Sequence, residues 1–186
     1  MKLYIKNMVC NRCKMVVKSE LEKLGLQLLS VDLGEVETRL PISSTEKKDI
    51  EERLKSLGFE LIEDKKSITI EKIKILIVEL IYHKNNELNI NLSEYISQNL
   101  YHDYASLSHL FSEVEGKTIE KYFILQKIER AKELLTYDEM SLSQIAFVLN
   151  YSSVGYLSNQ FKKITGLTPS DFKKSINKER KQIDDI

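Results

Sequence analysis

The 186 residues carry 28 basic and 28 acidic side chains, a balance that excludes any whole-chain field drawing the protein to nucleic acid or a membrane surface. Hydrophobic residues make up 42%, enough for one or two small packed domains, and the most apolar run, Ile73 to Ile81, is interrupted by Lys74 and Glu79 and cannot cross a bilayer. Two cysteines cannot build a disulfide framework, and Met1 to Lys6 lacks a signal peptide's apolar core, so the expected compartment is a reducing bacterial cytoplasm.

Lys2 to Asn7 alternates polar and apolar residues in the manner of a strand. A helix is predicted from about Asn11 to Leu24, with Met15, Val16, Leu21 and Leu24 as its apolar residues and Gly25 as its stop. Gln27 to Asp32 and Glu35 to Leu40 read as strands, the second ended by Pro41. Ser44 or Thr45 caps a helix carrying Ile50, Leu54 and Leu57, and Gly58 stops it before a strand at Phe59 to Ile62. This βαββαβ order in about 63 residues is the ferredoxin-like arrangement, with two helices on one face of an antiparallel sheet.

Cys10 and Cys13 fall between the first strand and the first helix, in Met8-Val9-Cys10-Asn11-Arg12-Cys13. A CxxC pair at a helix N-terminus gains thiolate character from the helix dipole. Two soft thiolates at this spacing suit Cu(I), or half of a Zn(II) site. With Ser56-Leu57-Gly58-Phe59 ahead of the last strand, residues 1–63 resemble a heavy-metal-associated domain, although Val9 stands where a Thr is usual and Asn7 where a Gly is usual. That resemblance implies metal binding at Cys10 and Cys13. A remnant pair without a role and a reversible dithiol remain open beside it.

Glu63-Asp64-Lys65-Lys66-Ser67 marks a division, giving expected domains at 1–66 and 67–186. A helix from about Ile70 to Lys84 comes next, its buried stripe marked by Ile73, Ile77, Leu80 and Ile81.

Residues 91–122 and 141–172 are one pattern written twice at an offset of 50. Leu92/Leu142, Ser93/Ser143, Tyr101/Tyr151, Leu107/Leu157, Ser108/Ser158, Phe111/Phe161, Gly116/Gly166 and Thr118/Thr168 are identical pairs, and Val114/Ile164 and Tyr122/Phe172 nearly so. A repeat of this length is one supersecondary unit used twice. In the second copy Ser141 caps a helix with Leu142, Ile145, Ala146 and Leu149 inward, and Asn150 ends it in a left-handed conformation. The next helix, Ser153 to Thr165, buries Val154, Leu157, Phe161 and Ile164, stops at Gly166, and gives way to a short helix opened by Thr168 and Pro169. Helix, tight turn, helix is the plan whose second helix enters the DNA major groove.

The face of that second helix left over by packing holds Ser152, Ser153, Gly155, Tyr156, Asn159, Gln160 and Lys163, side chains suited to base edges and phosphates. A solvated helix face would carry similar residues, and the duplication of the turn is what favours DNA. Ile128-Glu129-Arg130-Ala131-Lys132-Glu133-Leu134-Leu135, Ser141 to Ala146, Tyr156-Leu157-Ser158, Phe161-Lys162-Lys163 and Gly166-Leu167-Thr168-Pro169-Ser170 together resemble the AraC/XylS signature over about residues 70–177. The resemblance implies a bacterial transcription regulator: an all-α domain of two helix-turn-helix units joined by a long helix, here Ile119 to Thr136. It implies reading helices at Asp103 to Glu115 and Ser153 to Thr165. Gly155 stands where a Ser is usual, Asn159 where an Arg is common, and Asn150-Tyr151 where Gly-Phe is usual. Asn159 exchanges a guanine-preferring fork for an adenine-preferring amide.

Charge separates the copies. Over 140–178, Lys162, Lys163, Lys173, Lys174 and Lys178 face Asp171, whereas over 85–127, Lys117, Lys121 and Lys127 face Glu87, Glu94, Asp103, Glu113, Glu115 and Glu120. Lys162 and Lys163 should anchor the second unit on phosphates, with Ser106 and His109 of the first contributing less. The expected partner is double-stranded DNA, read in two adjacent major-groove segments, with a metal ion or small-molecule effector at the N-terminal domain. Monomer and homodimer both stay open. No Ser-His-Asp, P-loop or GxGxxG pattern occurs, and the four-cysteine zinc centre of DNA-repair methyltransferases cannot be made from two cysteines. The competing reading is a metal-binding or interaction module whose helical half no longer reads DNA.

Overall fold

The computed structural model describes residues 1–84, 90–175, 180, 181, 183 and 186, so the charges expected at Glu87 and Lys178 lie outside the described residues. The chain forms two compact units, Met1–Ile75 and Leu76–Ile186.

The first unit holds β1 (Lys2–Lys6), α1 (Asn11–Lys23), β2 (Leu28–Asp32), β3 (Glu35–Thr38), α2 (Ser44–Lys55) and β4 (Glu60–Ile62). The strands form one antiparallel sheet in the order β2-β3-β1-β4. Leu3 pairs with Val36, and Val36 with Val31, so one face presents an unbroken apolar row. Against that row pack Val17 and Leu21 of α1 and Ile50 and Leu54 of α2, with Ile5, Met8 and Phe59 completing the core.

Two helix faces differ from expectation. On α1 the buried line is Cys13, Val17 and Leu21 at a spacing of four, while Met15 is 71% exposed and Val16 and Leu24 also face outward. A spacing of four keeps side chains on one side of a helix, and Met15 lies half a turn away. On α2, Leu57 is exposed because the helix has ended at Lys55. Its cap is Ser43, not Ser44 or Thr45. The Ser43 hydroxyl accepts from the Glu46 amide at 3.3 Å, and the Glu46 carboxylate accepts from the Ser43 amide at 2.8 Å. This reciprocal capping box satisfies two otherwise orphaned donors.

Three of the five residues expected to divide the domains, Lys65, Lys66 and Ser67, are helical. Asp64 accepts from the Ser67 amide at 2.8 Å and starts α3, Lys65–Tyr82. Within the first unit Ile70 and Ile73 of α3 are buried, and Asn7 donates its amide to Glu71 at 3.0 Å.

The second unit contains α4 (Leu92–Leu100), α5 (Tyr104–Glu115), α6 (Ile119–Tyr137), α7 (Leu142–Val148), α8 (Val154–Thr165) and α9 (Pro169–Lys174). The offset of 50 recurs in its caps. Asn91 and Ser141 accept from the amides three residues on, as do Asp103 and Ser153, and Thr118 and Thr168. Gly116 and Gly166 both stop a helix in the left-handed region, at φ 65° and 81°. Leu107/Leu157 and Phe111/Phe161 are buried as pairs. The aromatic contacts repeat as well, Phe111 on Tyr122 at 5.6 Å and Phe161 on Phe172 at 5.5 Å. The long helix α6 buries Ile128, Ala131, Leu134 and Leu135. Its Gln126 and Glu129 hold the C-terminal residues by bonds to the Ile183 carbonyl and the Lys181 amide, both at 3.1 Å.

Candidate nucleic-acid interface

The two turns are not copies of one geometry. In the second unit α7 ends at Val148 and Asn150 adopts φ 51°, whereas in the first α4 runs two positions further and Tyr101 takes the left-handed conformation at φ 55°. The identical tyrosines therefore have opposite fates. Tyr101 is 92% exposed, while Tyr151, one residue past its left-handed neighbour, is turned inward at 9%. Asn adopts the left-handed conformation more readily than most residues because its short polar side chain can hydrogen-bond locally. Both reading helices then begin in register, at Tyr104 and Val154.

Tyr151 ties its turn to both neighbouring helices. Its hydroxyl donates to Gln160 Oε1 on α8 at 2.6 Å, and its ring lies 5.9 Å from that of Tyr156, also on α8. The Lys127 ammonium of α6 sits 3.7 Å from the Tyr151 ring centroid and 5.4 Å from that of Phe123. Lys127 is buried, and burial pushes its pKa down to about 8. The Tyr151 hydroxyl is pushed up by burial. The sequence marks Tyr151 as the twin of Tyr101, and Lys127 counts there as one more surface charge.

On α8, Gly155, Tyr156, Asn159, Lys162 and Lys163 are exposed, as are Ser152 and Ser153 just before it. Ser153 commits its hydroxyl to the Tyr156 amide at 3.1 Å, and Gln160 is half-buried against Tyr151. A Cβ at Gly155 would meet nothing nearer than the Ser153 hydroxyl at 3.9 Å, so the glycine leaves open space in the face. Lys162 and Lys163, in the last turn, form no ion pair among the described residues. Lys173 by contrast pairs with Asp138, so part of the positive excess expected of this unit is neutralised.

On α5, Ser106 and His109 are exposed, and Asp103 caps the helix through the Ser106 amide at 3.0 Å. Tyr104 hydrogen-bonds Glu120 at the start of α6. Burial and that carboxylate together push the Tyr104 hydroxyl up. The first unit thus meets solvent with an acidic cap where the second has a neutral serine.

Cys10 and Cys13 lie in the N-terminal compact unit, Met1–Ile75. Asn7, at φ 72°, bends the chain ahead of them and donates its side-chain amide to the Gly58 carbonyl at 3.0 Å. Cys10 is the N-cap of α1 with its thiol unused in capping, and its sulfur is 3.4 Å from that of Cys13. Burial raises the Cys10 thiol, but the Cys13 and Arg12 amides and the Arg12 charge outweigh it and leave the pKa lowered. Cys13 is more deeply set, and burial raises it. Iodoacetamide should therefore alkylate Cys10 several-fold faster than Cys13 near pH 7. Mass mapping of partially labelled protein, native against urea-unfolded, reads this, and equal native rates would contradict it. Among the described residues no group of three or more His, Cys, Asp or Glu side chains could hold a metal ion. The pair offers two soft ligands, a donor set that fits Cu(I) and leaves a closed zinc site incomplete. No helix among the described residues is long and apolar enough to cross a membrane.

Residues 96–175 match the protein family described as a helix-turn-helix domain. The xylose operon regulatory protein of Haemophilus influenzae is 33% identical over 69 residues, 37% of this chain and 18% of that protein. Its Escherichia coli K12 namesake is 31% identical over 75 residues, 40% of this chain and 19% of that protein. The match thus spans less than a fifth of these relatives' length. Among solved structures, the C-terminal domain of AraT, a response regulator from Geobacillus stearothermophilus, superposes with a TM-score of 0.51 at 22% identity, over 60% of this chain and 88% of that one. That likeness is one of fold.

Proposed function

We propose, from the helix-turn-helix family that residues 96–175 match, that this chain is a sequence-specific transcription regulator of the AraC/XylS type acting on double-stranded DNA in the bacterial cytoplasm. The observation that carries the reading is the pair of capped, buried-stripe helices α5 and α8, starting 50 residues apart in register. Two such helices can enter successive major-groove segments from one side of a duplex. Gly155, Tyr156 and Asn159 would meet base edges, Ser152, Ser153, Lys162 and Lys163 phosphates, and Ser106 and His109 would make the weaker contacts of the first unit. Gln160 would serve chiefly by holding α8 to its turn.

The strand order β2-β3-β1-β4 and the two helices on one sheet face support a ferredoxin-like, heavy-metal-associated type of domain at the N-terminus. In that role it senses a ligand, with Cys10 and Cys13 as the soft donors for Cu(I). The metal would supply the signal; Asn7 and the α1 N-terminus hold the two sulfurs together.

Selection of bound fragments from random duplex DNA by the full chain tests the reading. The expected product is a motif of two segments about 10 bp apart, one helical turn of DNA. No enrichment over the starting pool at moderate salt would overturn it and favour an interaction module.

A further inference from the structure

We propose that Lys127 is a positioning residue for the reading helix α8, acting through Tyr151 and Gln160. The inference rests on the DNA-reading conclusion and adds a specificity role for a residue that faces away from solvent. A lysine is rarely buried unless paired, because losing its hydration is unfavourable. Lys127 is buried on α6 with no ion pair among the described residues, and its ammonium lies against two aromatic rings. Attraction between a cation and a ring face strengthens when both are desolvated. The 3.7 Å approach to Tyr151 therefore fixes that ring in place.

The fixed ring in turn holds α8. Tyr151 donates to Gln160 and packs on Tyr156, two residues one helical turn apart on the same side of α8. Two attachment points set the rotation of a helix about its axis as well as its distance. Rotation decides whether Asn159 and Gly155 meet base edges. Backbone phosphates, by contrast, tolerate small rotations through the flexible Lys162 and Lys163 side chains. Loss of the clamp is thus expected to degrade sequence discrimination more than general affinity. The first unit has no equivalent clamp at the matching tyrosine, since Tyr101 is exposed.

The test uses the full chain with Lys127→Met and Lys127→Arg. Each is titrated against the selected DNA and against DNA whose second-unit segment is scrambled, over a range of salt. Lys127→Met is expected to lower the ratio of the two affinities by about 10-fold, the effect of one lost desolvated cation–ring contact. Affinity for scrambled DNA and the salt slope should stay unchanged, and Lys127→Arg should restore the ratio. A ratio within about twofold of wild type, or a parallel loss of both affinities as from partial unfolding, overturns the proposal. Should Lys127→Met fail to fold, Tyr151→Phe decides: it removes only the hydroxyl to Gln160, and an unchanged ratio there also overturns it. A wild-type chain with no sequence preference would remove the DNA-reading conclusion itself, and the proposal with it. That result is distinct from a variant that keeps its preference.

Discussion

Replacing Lys162 and Lys163 together with Ala is expected to weaken binding to specific and random DNA alike, by roughly 60-fold at about 0.1 M salt. Both ammonium groups are exposed in the last turn of α8 and unpaired among the described residues. Each phosphate neutralised releases counterions and adds about 0.9 to the slope of log affinity against log salt. Losing two such contacts should flatten the slope by about 1.8, which sets the size of the loss. The matched change in the first unit, Ser106→Ala with His109→Ala, acts beside the acidic cap Asp103, removes no lysine, and should weaken binding far less, with little change in slope. Titration of a labelled duplex between low and moderate salt reads both quantities. Equal losses from the two double variants would sink the idea of an anchoring second unit.

Truncating Phe161 to Ala should destabilise the second helix-turn-helix unit by about 3–5 kcal/mol, the range for a large aromatic removed from a packed core. Phe161 is fully buried, and its ring meets Phe172 at 5.5 Å. The deletion therefore leaves a cavity and strips α9 of its main aromatic partner. Urea unfolding monitored by circular dichroism measures the loss. A change below about 1 kcal/mol would mean that the site collapses around the smaller side chain. Fragment selection with the same variant should recover at most the segment read by the first unit.

The helix starts of the second unit are legible in the sequence because Ser141, Ser153 and Thr168 each stand just before an apolar stripe, with no rival cap beside the first and last. Ser43, Ser44 and Thr45 could all cap α2, and the deciding signal is Glu46, which completes a capping box only with Ser43. Met15 and Val16 look inward because hydrophobicity marks them, yet the sheet takes the stripe of Cys13, Val17 and Leu21. The turn is less legible. An identity at Tyr101 and Tyr151 predicts equal roles, but the left-handed residue falls at 150 in one copy and at 101 in the other, which turns the two tyrosines in different directions. That shift depends on how far the preceding helix runs, which local residue types leave open. Lys127 carries no local signal at all. Its burial goes with its contact to Tyr151, 24 residues further along the chain, which no local pattern encodes.

The left-handed Tyr101 has an energetic consequence for the whole repeat. A residue with a Cβ is destabilised by about 1–2 kcal/mol in that region, whereas Asn at 150 is destabilised less. The first unit places that strain on an aromatic whose burial does nothing to offset it. Its share of the domain's stability is therefore thinner than its twin's. On heating, α4 and its turn are the part that should loosen first, leaving the Lys127-clamped half folded.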